Sequence, residues 1–221
     1  MGGQVEQARG RVAGRVRIGT GATAAAYLLP RVLRALRKRF PDLQLVVSTG
    51  DTPTIVRQVT EGELEIGLVT RLGRPRHLKV TPFCSDRLVA VGPPGAWDPG
   101  TTLSPRALGS LPLILYPRPG SIRAIIETWF ERAGIRPGVE MEMSSVEAIK
   151  KLVGVGLGYS ILSEVAAADH SPPGALALAQ LAPRLERELV LVRRRDRAKT
   201  PAFQAVVGAL AKADGGGSPA R

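Results

Sequence analysis

Two short stretches place hydroxyl side chains at the start of a helix, a combination suited to holding an anion without reacting with it. Thr20-Gly21-Ala22-Thr23 joins a strand pattern to a helix pattern. Pro119-Gly120-Ser121-Ile122-Arg123 does the same later in the chain. A helix start leaves backbone N–H groups unpaired and carries partial positive charge, so it suits carboxylate or sulfate. The hydroxyls of Thr20, Thr23 and Ser121 add donors there. Arg123 offers a planar guanidinium that matches carboxylate geometry. The plainer readings are that each hydroxyl is a helix cap and that Arg123 is a solvated helix residue.

Catalytic chemistry is hard to assemble from the rest. His77 and His170 are the only histidines, each in a polar turn and neither in a metal-ligand spacing. Cys84 is the one cysteine, so no internal disulfide can form, and at a strand end it is structural rather than nucleophilic. Gly154-Val155-Gly156-Leu157-Gly158 follows a helix and precedes a strand, the reverse of a dinucleotide loop. It is read as helix termination with tight backbone packing. Arg193-Arg194-Arg195-Asp196-Arg197 has the charge to meet phosphates, but such a run is ordinarily a solvated strand end. No cofactor and no metal is expected.

Composition narrows the classes further. The 221 residues are 44% hydrophobic and 23% charged, which is ordinary folded material with enough length for one large domain or two small lobes. Net charge is +12, spread along the chain rather than gathered. Aromatic residues are 4% of the chain, too few for a single-strand stacking platform. No apolar run is long enough to span a membrane, and no secretory signal is visible, so a cytoplasmic protein is expected.

Elements must then position the two turns. Strand Val16–Thr20 leads into an amphipathic helix over Ala22–Phe40, with Leu28, Val32, Leu36 and Phe40 on one stripe. Strand Leu43–Ser48 follows. Asp51-Thr52-Pro53 opens a helix over Pro53–Thr60, which Gly62 stops, and strand Leu64–Thr70 comes next. This order implies a largely parallel α/β sheet. Strands are expected at Leu78–Phe83 and Arg87–Gly92, with a break between them. A second set follows: helix Ser104–Leu108, strand Leu113–Tyr116, helix Ser121–Ala133, strand Val139–Met143, helix Val146–Val153 and strand Gly158–Leu162. Strand Leu189–Arg194 and helix Pro201–Leu210 close the chain.

The ordered motifs resemble the effector-binding domain of LysR-type transcriptional regulators. Gly14-Arg15-Val16-Arg17-Ile18-Gly19 is similar to the opening strand of that family, and Leu29-Pro30-Arg31-Val32-Leu33 to its first helix. Phe40-Pro41-Asp42-Leu43-Gln44-Leu45, Gly62-Glu63-Leu64-Glu65-Ile66-Gly67-Leu68 and Ile149 to Ser163 follow in family order. Glu65 stands where the family usually has Asp, and Ser163 where it has Pro. The resemblance implies an α/β fold of two Rossmann-like lobes of the periplasmic-binding-protein type 2 kind. Two crossover strands would join them, with a ligand cleft between. Lobe I would comprise residues 16–85 plus 194–212 and lobe II residues 86–193, with crossings near Cys84–Asp86 and Arg193–Arg195. Residues 1–15 would be a leader or remnant of a linker helix, opposed by Gly10 and Gly14, and residues 213–221 a flexible tail.

By the same resemblance both turns face the cleft. Ligand contacts would be Thr20, Gly21, Thr23, Thr70, Ser121, Arg123 and Ser145. The implied function is sensing of a small anionic metabolite, with no catalysis. Homodimers or tetramers would form through lobe I, using Ala25–Arg39 and Leu43–Ser48. DNA would be reached only through a winged helix-turn-helix that this chain lacks, and no membrane is involved. Two other classes share such lobes: a transporter's solute-binding protein and an enzyme such as a dehydratase or deaminase.

Overall fold

Strand β1 (Gly14–Thr20) forms where Val16 and Ile18 turn inward and Arg15 and Arg17 turn outward. The computed structural model describes residues 12–71, 73, 75–169 and 174–213; most of the leader, the tail and His170 lie outside them. The helix expected over Ala22–Phe40 is two helices, α1 (Ala22–Tyr27) and α2 (Leu29–Arg39), divided at Leu28. Pro30 has no N–H to donate to the Ala26 carbonyl, so the ladder is interrupted there. Helix α2 buries Leu29, Val32 and Leu36 and turns its arginines outward. Strand β2 (Leu43–Thr49) is parallel to β1. Helix α3 (Thr52–Glu61) starts where the Asp51 carboxylate accepts the Thr54 N–H at 2.9 Å. It ends at Gly62, whose φ of 81° suits glycine. Strand β3 (Ile66–Thr70) lies parallel to β1 on its other side.

Strand β4 (Leu78–Gly92) runs unbroken for 15 residues, where two strands were expected. Asp86, which lies between the two expected strands, is buried within β4, and its charge is met by Arg187 at 2.6 Å. The second half of the molecule repeats the plan of the first. After β5 (Thr102–Leu103) and α4 (Pro105–Gly109) come β6 (Leu113–Leu115), α5 (Ser121–Glu131), β7 (Val139–Glu142), α6 (Val146–Gly154) and β8 (Ser160–Ser163). Strand β6 is parallel to β7, and Leu113 bridges in parallel to Tyr159 at the start of β8. Strand β4 then pairs antiparallel with β8. Helix α7 (Glu164–Ala168) and strand β9 (Ala177–Leu181) had not been expected. The strand is rich in alanine, which carries little strand propensity.

Strand β10 (Leu185–Arg194) pairs antiparallel with β3, and α8 (Pro201–Ala213) closes the chain. The order β2-β1-β3-β10 in one half therefore matches β7-β6-β8-β4 in the other. The chain divides into two compact units, one through Cys84 and from Glu188, the other Ser85–Arg187. The second division lies upstream of the Arg193–Arg195 expected, because Leu189–Val192 pair with β3. The first unit's core joins Ile18, Leu29, Leu36, Leu68 and Phe203. The second unit's core joins Leu88, Leu113, Ile126, Trp129 and Phe130.

Glu65 clasps the first unit. Its carboxylate accepts the Arg17 backbone N–H at 2.6 Å, the Arg17 Nη2–H at 2.8 Å and the Arg197 Nη2–H at 2.9 Å. Burial alone would push this carboxyl up, but those hydrogen bonds and the Arg197 charge outweigh it and hold Glu65 below the usual carboxylate range. A depressed folded value means the clasp stabilises the fold above the ordinary carboxylate range and is lost as pH falls through the lowered value. Glu65→Gln is accordingly expected to flatten the acid limb of a stability-against-pH curve measured by urea unfolding. An acid limb as steep as the parent's would remove Glu65 from this role.

Candidate functional site

The two turns share a glycine at the helix start. Helix α1 starts at Gly21 and α5 starts at Gly120, both in extended conformation and both without a capping side chain. Helices α3, α4 and α6 are capped by Asp51, Ser104 and Ser145, while α2 and α7 are also uncapped but start at Leu28 and Ser163 rather than at glycine. The glycine starts follow β1 in the first unit and β6 in the second, the corresponding strands of the repeated plan. In open α/β sheets, ligands bind beyond the carboxyl ends of strands such as these.

In the first unit, Thr20 is fully buried and its hydroxyl donates to the Leu68 carbonyl at 2.8 Å. That bond ties the end of β1 to β3, so Thr20 shapes the turn. The Gly50 N–H donates to the Thr20 carbonyl at 3.0 Å, which draws the end of β2 to the same place. Beside Gly21 there is open space, since an added Cβ would meet nothing within 4 Å. Thr23 is 5% exposed, and among the described residues its hydroxyl has no hydrogen-bond partner. Thr70 ends β3 and is half-buried. The next residue, Arg71, donates its backbone N–H to the Glu188 carbonyl at 2.7 Å and pairs side chain to side chain with Glu188. Arg71 holds Glu188 below the usual carboxylate range.

In the second unit, Ser121 opens α5 and is half-buried. Arg123 is not the free clamp expected. It is 3% exposed, and its Nε–H donates to Glu127 at 2.7 Å. Its Nη1 donates to the Tyr116 carbonyl and to Glu142, each at 2.7 Å. The i, i+4 spacing brings Glu127 onto the same helix face, and β7 delivers Glu142. Arg123 thus fixes the β6–α5 turn against β7. Arg118 and then Arg123 hold Glu127 below the usual carboxylate range. Ser145 caps α6, its Oγ accepting the Ala148 N–H at 3.3 Å, and is exposed.

A buried cluster went unnoticed in the sequence. Asp86 on β4 accepts the Ser163 hydroxyl at 2.6 Å and the Arg187 Nε–H at 2.6 Å. Both charged side chains are almost wholly buried, and one Arg187 Nη has no partner. The only sequence signal was Ser163 standing where the resembled family has Pro. The residues suspected of other chemistry take structural places. Cys84 packs on the first core, and His77 is exposed. Arg195 and Arg197 donate to the Leu78 carbonyl and Glu65, while Arg193 and Arg197 lie over the Phe203 ring. The basic run is therefore a clasp rather than a solvated strand end. Gly154 ends α6, and Gly158 packs against the Pro112 carbonyl, in line with termination rather than a nucleotide loop. Among the described residues no group of His, Cys, Asp or Glu is placed to hold a metal ion. No helix among them is long and apolar enough to cross a membrane.

The LysR substrate binding domain model matches residues 9–214. A curated relative, the uncharacterized HTH-type transcriptional regulator YfeR of Shigella flexneri, is 26% identical over 89% of this chain and 64% of its own. The chain spans about half to two thirds of the length of the curated relatives it matches. The regulatory domain of CcmR from Synechocystis PCC6803, in complex with 2-PG, superposes with a TM-score of 0.83 at 19% identity. The match covers 92% of this chain and 99% of that one. The effector-binding domain of QuiR in complex with shikimate gives 0.78 at 17% identity, covering 91% and 97%.

Proposed function

The chain belongs to the LysR substrate-binding domain family, and from that premise we propose that it senses a small anionic metabolite for a transcription regulator. The observation that carries this reading is the pair of uncapped, glycine-started helices at corresponding strand ends. Unpaired first-turn N–H groups attract an anion, and the Thr23 hydroxyl stands ready beside one of them. Ser121 supplies the second hydroxyl. Thr20, Gly21 and Thr70 shape the first unit's contribution. Arg123 positions the second turn rather than clamping the ligand, and Ser145, the cap of α6, adds a further hydroxyl in the second unit. The protein acts in the cytoplasm without catalysis. It reaches DNA only through a separate winged helix-turn-helix, and ligand binding changes the conformation and assembly of the regulator.

Screening small organic acids by thermal shift identifies the effector. Binding at 100 times the dissociation constant adds about 2.7 kcal/mol to stability. Thr23→Ala and Ser121→Ala are each expected to cost about 1–3 kcal/mol of affinity by calorimetry, because each donor faces a charged oxygen. Parent-like affinity in both variants would place the ligand elsewhere.

Assembly through the first unit is part of the proposal. Strand β2 lies at the end of its strand order with Val47 37% exposed, and α2 presents Arg31, Arg34, Arg37 and Lys38 beside it. An isologous pair uses this edge with the cations at its rim. Sedimentation at tens of micromolar is expected to give a dimer that Val47→Glu weakens; a pure monomer in the parent rejects this interface.

A further inference from the structure

Helix α5 carries short side chains on its outer face, Ala124 and Thr128, with Ala133 just beyond its end, opposite Pro183, Arg184 and the first residues of β10. The shortness leaves a groove of about 450 Å³, walled on a third side by Pro105 of α4. That volume is within the range of small-ligand sites. Its apolar surface comes from Ile125, Trp129 and Leu185. The indole is fixed, since its Nε1–H donates to the Pro183 carbonyl at 2.7 Å.

The rim sets the charge of the occupant. Arg132, Arg184 and Glu186 line it. Glu186 is already answered, by Arg184 and by the Ser85 hydroxyl at 2.5 Å. Arg132 is exposed and has no ion-pair partner among the described residues. One cation is therefore left over beside an apolar slot. We propose that this groove is a second binding site, for an amphipathic monocarboxylate whose apolar body lies on Ile125, Trp129 and Leu185 and whose carboxylate meets Arg132. All the lining residues belong to the second unit, and the β1–α1 and β6–α5 turns contribute none of them.

The test uses the full chain with Trp97→Phe, which leaves Trp129 as the sole tryptophan. Octanoate, octanol and octylamine are titrated while Trp129 emission is followed. Octanoate is expected to shift the emission and to bind about fivefold more tightly than octanol, with octylamine weakest. High salt narrows that gap. Arg132→Gln is expected to bring octanoate down to the octanol affinity. Ala124→Phe fills the slot and abolishes both; Thr128→Phe does the same from the next turn, and circular dichroism confirms that each is folded. Thr23→Ala with Ser121→Ala is expected to leave octanoate binding unchanged, which separates this site from the effector site. Octanol binding as tightly as octanoate overturns the proposal. So does parent-like octanoate binding in both folded phenylalanine variants, loss of octanoate in the Thr23/Ser121 double variant, or no response at millimolar octanoate.

Discussion

Asp86→Ala is expected to cost about 3–5 kcal/mol of folding stability. The Arg187 guanidinium is buried, with Asp86 as its charge partner, and one of its Nη groups already lacks a hydrogen bond. Removing the carboxylate leaves an uncompensated cation in the interior and frees the Ser163 hydroxyl that Asp86 accepts. Urea unfolding measures the loss. The double variant Asp86→Ala with Arg187→Met is expected to recover most of it, because an apolar pair replaces a buried ion pair at little cost. A loss below about 1 kcal/mol in the single variant would mean that Arg187 swings out to water, and the cluster would then not hold the strands together.

Gly158→Val is expected to destabilise the second unit by about 3 kcal/mol. Gly158 has φ of 158°, and a Cβ there would lie 2.8 Å from the Pro112 carbonyl oxygen and 3.0 Å from Ile114. The oxygen is backbone and cannot step aside. The same stretch supplies the Tyr159 N–H that donates to Pro112 at 2.9 Å, so a shift would unzip the join between β6 and β8. Gly156→Ala, where an added Cβ has open space around it, strains only the local backbone and is expected to cost less. Thermal melts of the two variants order the effects. Equal melting temperatures would show that the carbonyl clash is relieved by a small movement.

The β-α units were legible because period-2 and period-3.6 patterns follow from backbone geometry alone. Val16 and Ile18 in β1, or Ile126 and Phe130 in α5, had to face inward wherever the sheet went. The apolar stripe over Ala22–Phe40 reads as one helix because periodicity continues through Pro30, whose missing N–H divides it into two. Strand β9 was missed because Ala177 and Ala179 are weakly apolar, and their inward placement is decided by the neighbouring β4.

Local sequence thus determined most of the elements, the repeated β-α plan and the two glycine-started turns, since propensity, periodicity and capping act within a few residues. It also carried enough ordered motifs to point to the family. Tertiary structure alone decided what the charged side chains do. Arg123 looked available in sequence and is spent on Glu127 and Glu142. Arg197 lay in what looked like a solvated run and is spent on Glu65 across the first unit. Asp86 and Arg187, 101 positions apart, carry no local signal of a partner, and they form the most buried ion pair among the described residues. Charge pairing depends on distance in space and on exclusion of water, and only the folded chain sets both.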